Sequence, residues 1–354
     1  MKLGIPETMK AGVLHAIEDI RCEEVPTPRA GPGEVLVRVR ACGICGSDIE
    51  RVFKTGMYHL PEIPGHEFAG EVAALGPGVT DVSVGKRVTV IPLIQCGECP
   101  SCLIGEYSQC EDYDYLGSRS PGGFAEYVKA PASNLIPLPD EIDFEAGALT
   151  EVMAVALHAL RRTRGLRGGE RVAVFGAGTV GLLAAQWARV LGAGSVCGID
   201  VVDRKLETAR ELGVDLCIKP GESNVAEVLR EWTGGKGVDL AIEASGSGVA
   251  LQQAIMSLTR GGQLALVGRQ TCTTELPVAV FENVLRRQLD VFGCWAWSRL
   301  PAREWKVVLS FVARGMVQAV PLISHRYTIT QVRDAFEMIG GGSEIYHKVL
   351  FVFP

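Results

Sequence analysis

A chain of 354 residues is long enough to divide into two cores, and with 47% hydrophobic and 21% charged residues its composition excludes extended disorder and collagen-like structure. A net charge of −6 gives no basic field to hold it on nucleic acid, so the expected partner is a small molecule. The opening MKLGIPETMK lacks an apolar signal core, and the apolar stretches 152–160 and 180–188 end at Arg161 and Arg189, too short to span a bilayer; a cytoplasmic protein with no membrane partner is expected.

In chain order, MKAGVLHAI (9–17) and GEVLVRVRAC (33–42) alternate as half-buried strands do, with the turn-rich PTPRAGPGE between them. GHEFAGEVAALG, KRVTVIPL and FAEYVKAP continue this texture with Gly and Pro punctuation to about residue 140, which makes the first part β-rich. From Glu145 the period becomes helical in EAGALTEVMAVALHALRR. Residues 169–200 then read strand, glycine turn, helix, strand. DRKLETARELG, LCIK, VAEVLREWTG, VDLAIEASG, ALQQAIMSLTRG and GQLALVG go on alternating helix with strand, the pattern of a doubly wound parallel sheet. Residues 301–354 return to mixed texture and end in the strand-like KVLFVF. The fold class is α/β: a Rossmann-type domain over 159–298 and a β-rich domain made of 1–158 and 299–354.

Gly176, Gly178 and Gly181 form G-x-G-x-x-G between the strand RVAVF and a helix, with Asp200 closing the next strand. The first glycine permits the turn, the second lets the backbone approach a pyrophosphate, and the third lets helix and strand close together. The helix start, Thr179 and Val180, offers free N–H groups to phosphates. Asp200 is expected to accept from the adenosine ribose hydroxyls and to repel a 2′-phosphate, which favours NAD over NADP; Arg204 is a further candidate contact.

Four of eleven cysteines, Cys96, Cys99, Cys102 and Cys110, crowd into one Gly- and Pro-rich loop. In a large cytoplasmic protein such a cluster points to metal before disulfide. C-x2-C-x2-C-x7-C differs from the ferredoxin pattern in its last spacing, so a closed, structural tetrahedral zinc is expected.

A looser set is Cys45 in CGICGSDIE, His66 and Glu67 in GHEFAG, and Glu151 in LTEVMAVALHA. Each residue alone has an ordinary explanation as a packed thiol, a core histidine or a helix-start carboxylate. Together, CGxCGSD followed by GHE resembles the zinc-dependent medium-chain dehydrogenases, over essentially the whole chain. The resemblance implies a GroES-like catalytic domain beside the nucleotide domain. It implies a catalytic zinc held by Cys45, His66, Glu67 and Glu151, with Cys42 a packed thiol. It also makes Ser47 the acceptor of the alcohol proton and Asp48 the carboxylate that orients His66. Glu50 stands where many relatives carry a histidine that ends the proton relay.

RVFKTG, the cysteine segment through YDYLGSR, GGFAEY, QLALVG and REW are closest to the branch acting on polyols and sugar phosphates. The expectation is NAD-linked oxidation of a secondary alcohol to the ketone, with two zinc ions per chain and a homodimer or homotetramer. Sorbitol-like or threonine-like activity on an unphosphorylated substrate is the alternative. A non-catalytic member would be expected to have lost Cys45, His66 or Ser47. Arg51 and Lys54 are candidate phosphate contacts, and two carboxylates at the metal are expected to loosen it.

Overall fold

The computed structural model describes residues 4–221, 224–270, 272–297, 301–342 and 344–354. It divides into two compact units, Met1–Glu151 with Ser298–Gly315 and Ala319–Pro354, and Val152–Trp297 with Met316–Gln318. The first division comes a few residues before the expected 158/159, because the helix Thr150–Arg162 packs with the second unit: Trp187 Nε1 donates to Met153 O at 3.1 Å. The three-residue return is tied by a reciprocal pair in which Gln318 N donates to Gln186 Oε1 and Gln186 Nε2 donates to Gln318 O. The other expected boundary, 298/299, lies outside the described residues.

In the first unit, the sheet runs Ile323–Tyr327, Lys348–Val352, Glu34–Gly43, Glu67–Leu75, Arg87–Val90, Leu135–Pro137, and Tyr127–Pro131 also pairs with Glu34–Gly43. Only the first pair is parallel. Alternation explains the central strand. Val35, Val37 and Val39 enter the core, while Arg40 points the other way and meets Glu71 across the ladder at 3.1 Å. The hairpin Thr8–Ala16 and Asp19–Pro26 adds to this unit. The short ladder Leu93–Ile94 with Asp114–Tyr115 closes the base of the cysteine loop.

In the second unit, six parallel strands are ordered Leu216–Ile218, Ser195–Ile199, Arg171–Phe175, Val238–Glu243, Leu258–Leu266, Asp290–Gly293. The order reverses beside Arg171–Phe175, so the ends of that strand and of Val238–Glu243 form the switch point where such sheets bind ligands. Val172, Ala173, Val174 and Phe175 are all buried, as expected for a strand covered on both faces.

Candidate active site

The C-G-S-D segment forms a helix start. Cys45 is the N-cap of Gly46–Glu50, and Asp48 Oδ2 accepts from Cys45 N at 2.9 Å, so the carboxylate at the third helical position closes a capping box. The chain continues through Arg51–Thr55 as a wider π-type turn. This places Arg51 one turn after Ser47, and its guanidinium donates to Ser47 Oγ at 3.0 Å and to Asp48 Oδ1 at 3.2 Å. The Arg51 side chain, a candidate phosphate contact from the sequence, is 19% exposed and engaged by Ser47 and Asp48. Lys54 is exposed.

His66 enters from the loop before the strand Glu67–Leu75. Asp48 Oδ1 lies 3.4 Å from His66 Nδ1, a poorly angled contact that nonetheless leaves Nε2 as the ring atom for a metal. Burial alone would depress the His66 pKa. The Asp48 carboxylate overrides it, with Cys45 acting in the same direction, and holds the imidazole well above the ordinary histidine range. Burial likewise opposes charge on Asp48, yet His66, Arg51 and the Cys45 N–H keep its carboxyl below the usual value.

Glu67 is fully buried, and sequence reasoning missed its partner. Lys348 Nζ donates to Glu67 Oε1 at 2.9 Å, to Oε2 at 2.8 Å and to Ile44 O at 3.1 Å. The carboxylate fits because residue 43 is glycine: a Cβ there would come within 2.3 Å of Glu67 Oε2. The Glu67 charge is therefore balanced by a buried ammonium, and the expected excess of negative charge at the metal is reduced by one.

Cys45, His66 and Glu67 bring their ligand atoms within 4.8 Å of one another. Glu151 is outside that group. Its Oε1 accepts from Tyr115 Oη at 3.4 Å, and the Tyr115 ring meets His66 edge-on at 5.7 Å between centroids. Burial pushes the Glu151 pKa up to about 7, with His66 opposing and Glu67 adding to the shift. Cys42, by contrast, is a packed thiol in the core of the first unit.

The other four cysteines also lie within 4.8 Å of one another. A tetrahedron with Zn–S bonds of about 2.3 Å has S···S edges of about 3.8 Å. The Sγ separations Cys96–Cys102, Cys99–Cys110 and Cys96–Cys110 are 3.9, 3.9 and 3.5 Å, so the cage already has the size of a zinc tetrathiolate. Backbone N–H groups of Cys96 and Cys99 donate to Cys110 Sγ and Cys96 Sγ.

In the nucleotide unit, Gly176 has φ 99°, and a Cβ there would meet Ser245 N at 2.8 Å. A Cβ on Gly181 would come within 1.9 Å of Gly176 O, whereas nothing lies within 4 Å of one built on Gly178. Two glycines thus serve packing and the middle one faces open space. Gly178 caps the helix Thr179–Val190 without a side-chain bond. Asp200 Oδ2 accepts from Ala177 N at 2.8 Å and Oδ1 from Val202 N at 2.9 Å, which fixes the carboxylate beside the turn. Arg204 lies on an exposed helical turn with its guanidinium on Glu207 at 3.0 Å. Glu243, missed in the sequence, is buried where its strand ends and accepts from Ser245 N, Ser245 Oγ and Gly246 N, holding the loop that packs over Gly176.

Family models for the alcohol dehydrogenase GroES-like domain and for zinc-binding dehydrogenase match residues 31–140 and 179–314. Sorbitol dehydrogenase from Bacillus subtilis (strain 168) is 36% identical, with 94% of each chain covered. The chain belongs to the zinc-binding alcohol dehydrogenase family. Galactitol 1-phosphate 5-dehydrogenase from Escherichia coli (strain K12) is 39% identical over 83% of this dehydrogenase and 85% of the relative. The crystal structure of galactitol-1-phosphate dehydrogenase from Escherichia coli superposes with a TM-score of 0.91 at 36% identity, covering 98% of this chain and 100% of that one. A zinc-binding dehydrogenase from Sinorhizobium meliloti 1021, in a crystal structure bound to NADP, gives 0.89 at 31% identity, covering 98% and 100%. This dehydrogenase is accordingly an oxidoreductase acting on CH–OH groups, with zinc and a nicotinamide dinucleotide as cofactors. No helix among the described residues is long and apolar enough to cross a membrane.

Proposed function

We propose that this dehydrogenase oxidises a secondary alcohol of a polyol or sugar phosphate to the ketone, with NAD as acceptor. The observation that carries this reading is the group of Cys45, His66 and Glu67, the latter two buried, with Ser47 two residues after Cys45 and Glu151 beside His66 through Tyr115. Those four residues hold the catalytic zinc, and Cys96, Cys99, Cys102 and Cys110 hold a structural one. Zinc at the first site acts as a Lewis acid that makes a substrate hydroxyl easier to deprotonate.

Ser47 Oγ takes the hydroxyl proton. Arg51 already donates to that oxygen, so the Ser47 O–H is left to relay the proton and the guanidinium stabilises negative charge developing on Oγ. Asp48 keeps His66 in one tautomer and fixes Arg51, which joins the relay to the metal ligands. In the nucleotide unit, Gly176, Gly178, Thr179, Val180 and Gly181 receive the pyrophosphate and Asp200 the ribose hydroxyls. Arg204, paired with Glu207, plays at most an edge role. The eleven free cysteines fit a reducing cytoplasm. Val278, Phe281 and Leu285 are exposed on the helix leading into the sheet's edge strand, a surface suited to self-association that light scattering would register.

A panel of polyols with and without phosphate, followed by NADH absorbance, tests the substrate. Turnover of a phosphorylated polyol in preference to its unphosphorylated counterpart is expected. Preference for sorbitol or threonine would replace this reading with its alternative. NAD preference is tested with Asp200→Ala. Loss of charge-assisted ribose bonds should lower kcat/KM with NAD by about tenfold or more and narrow the preference over NADP. Equal kcat/KM with both cofactors in the unmodified enzyme would refute the role of Asp200.

A further inference from the structure

Arg119 sits in the turn after the strand Asp114–Tyr115, its N–H bonded to Tyr115 O at 2.9 Å. Its guanidinium is stacked between two aromatic rings, with the central carbon 4.3 Å from the centroids of both Tyr58 and Tyr113. Nε is shielded from water and meets no acceptor, and neither does the neighbouring Ser120 Oγ. Among the described residues no carboxylate pairs with Arg119.

Ring faces offset only part of the cost of drawing an arginine out of water. Stacking occupies the two faces of the guanidinium but leaves its edge, with the in-plane N–H donors, available. That edge matches the oxygens of a phosphate, and the flanking rings fix its plane in advance. The place is also right. Tyr113 meets Tyr115 at 6.4 Å between centroids, Tyr115 meets His66 at 5.7 Å, and Tyr115 Oη reaches Glu151, so a run of touching rings leads from the metal-site residues to Arg119. Tyr58, at the outer end, is 59% exposed, which gives a ligand access. Arg51 and Lys348, the cations nearer the metal-site residues, are committed to Asp48 and Glu67.

We propose that Arg119, held between Tyr58 and Tyr113, binds the phosphate at the far end of the substrate. This rests on the reading of the enzyme as a dehydrogenase of phosphorylated polyols. The test compares the parent enzyme, Arg119→Gln and Arg119→Lys on one polyol with and without phosphate, with inorganic phosphate as competitor. In Arg119→Gln the ratio of kcat/KM values, phosphorylated over unphosphorylated, should fall tenfold or more, mainly through KM. Inhibition by inorganic phosphate should weaken in parallel, and Arg119→Lys should restore part of both. If the parent enzyme prefers the phosphorylated polyol and Arg119→Gln keeps that preference, the role of Arg119 is overturned while the substrate reading stands. Equal losses on both substrates would also overturn it, by showing a structural role. If the parent enzyme neither prefers the phosphorylated polyol nor responds to inorganic phosphate, the substrate reading fails and the inference with it.

Discussion

Lys348→Met should lower folding stability by about 3–5 kcal/mol, the usual cost of removing one partner from a buried ion pair. For a chain of this size that is a fall in Tm on the order of 10 °C. The methionine replaces the stem of the lysine well. The damage comes from Glu67, whose two oxygens lose both Nζ contacts while it remains fully buried beside Glu151. The double variant Lys348→Met, Glu67→Gln should recover part of the loss, because an amide needs no countercharge, so the two changes should be non-additive. The loss should be greater in chelator-treated protein than in protein loaded with zinc, since a bound cation offers the Glu67 carboxylate another partner. Thermal unfolding of the single and double variants measures this directly. A drop of less than about 1 kcal/mol in the single variant would mean that the pair is more hydrated, and weaker, than its geometry indicates.

That pair also shows where sequence reading stops. The glycine motif and the four-cysteine loop are legible because their chemistry lies within a few residues: spacing alone sets the turn before Thr179–Val190 and the ring of thiols. Glu67 and Lys348 are 281 positions apart, and nothing local to KVLFVF distinguishes its lysine from one at an ordinary strand end except the apolar run it precedes. Tyr115 is hidden for the same reason, since its hydroxyl meets Glu151 across 36 positions. Arg51 was visible as a cation beside the metal motif. Only the wider helical turn after Glu50 shows that its guanidinium folds back onto Ser47 and Asp48.

Among the strands, Asp19–Pro26 escaped notice because DIRCEEVP buries fully only Ile20 and its hydrophobic alternation is faint. Asp290–Gly293 is a four-residue edge strand with no buried residue, so it lacks the continuous apolar run that announced Arg171–Phe175. Burial on both faces writes a strand into the sequence, and an edge position erases it. The helical run from Glu145 reads as one element in sequence, yet it divides at Leu149 into Phe144–Ala148 and Thr150–Arg162. Asp143 caps the first piece by accepting from Ala146 N at 2.7 Å. The division sets Glu151 in the first turn of its own helix.

Metal analysis should find two zinc ions per chain, and chelation should remove them in order. The cage of Cys96, Cys99, Cys102 and Cys110 is closed, with sulfur separations that already suit zinc, and the loop around it has few buried apolar side chains to hold it otherwise. Zinc binding by such a set is worth about 10–16 kcal/mol in small zinc peptides, so this ion should leave only when the loop opens. The other set offers one thiolate, one imidazole and carboxylates, with Glu67 shared with Lys348 and a position needed for substrate. It should exchange first because it is open and has fewer thiolates; of the two carboxylates expected from the sequence to loosen it, Glu67 is balanced by the Lys348 ammonium. Mild chelation should therefore abolish turnover while far-UV circular dichroism and one zinc per chain persist, and added zinc should restore activity. Cys102→Ser should instead destabilise the cysteine loop and lower Tm, whereas His66→Ala should reduce kcat by about a thousandfold or more with the structural ion retained. One zinc per fully active chain, or activity that outlasts removal of the labile ion, would overturn the two-site assignment.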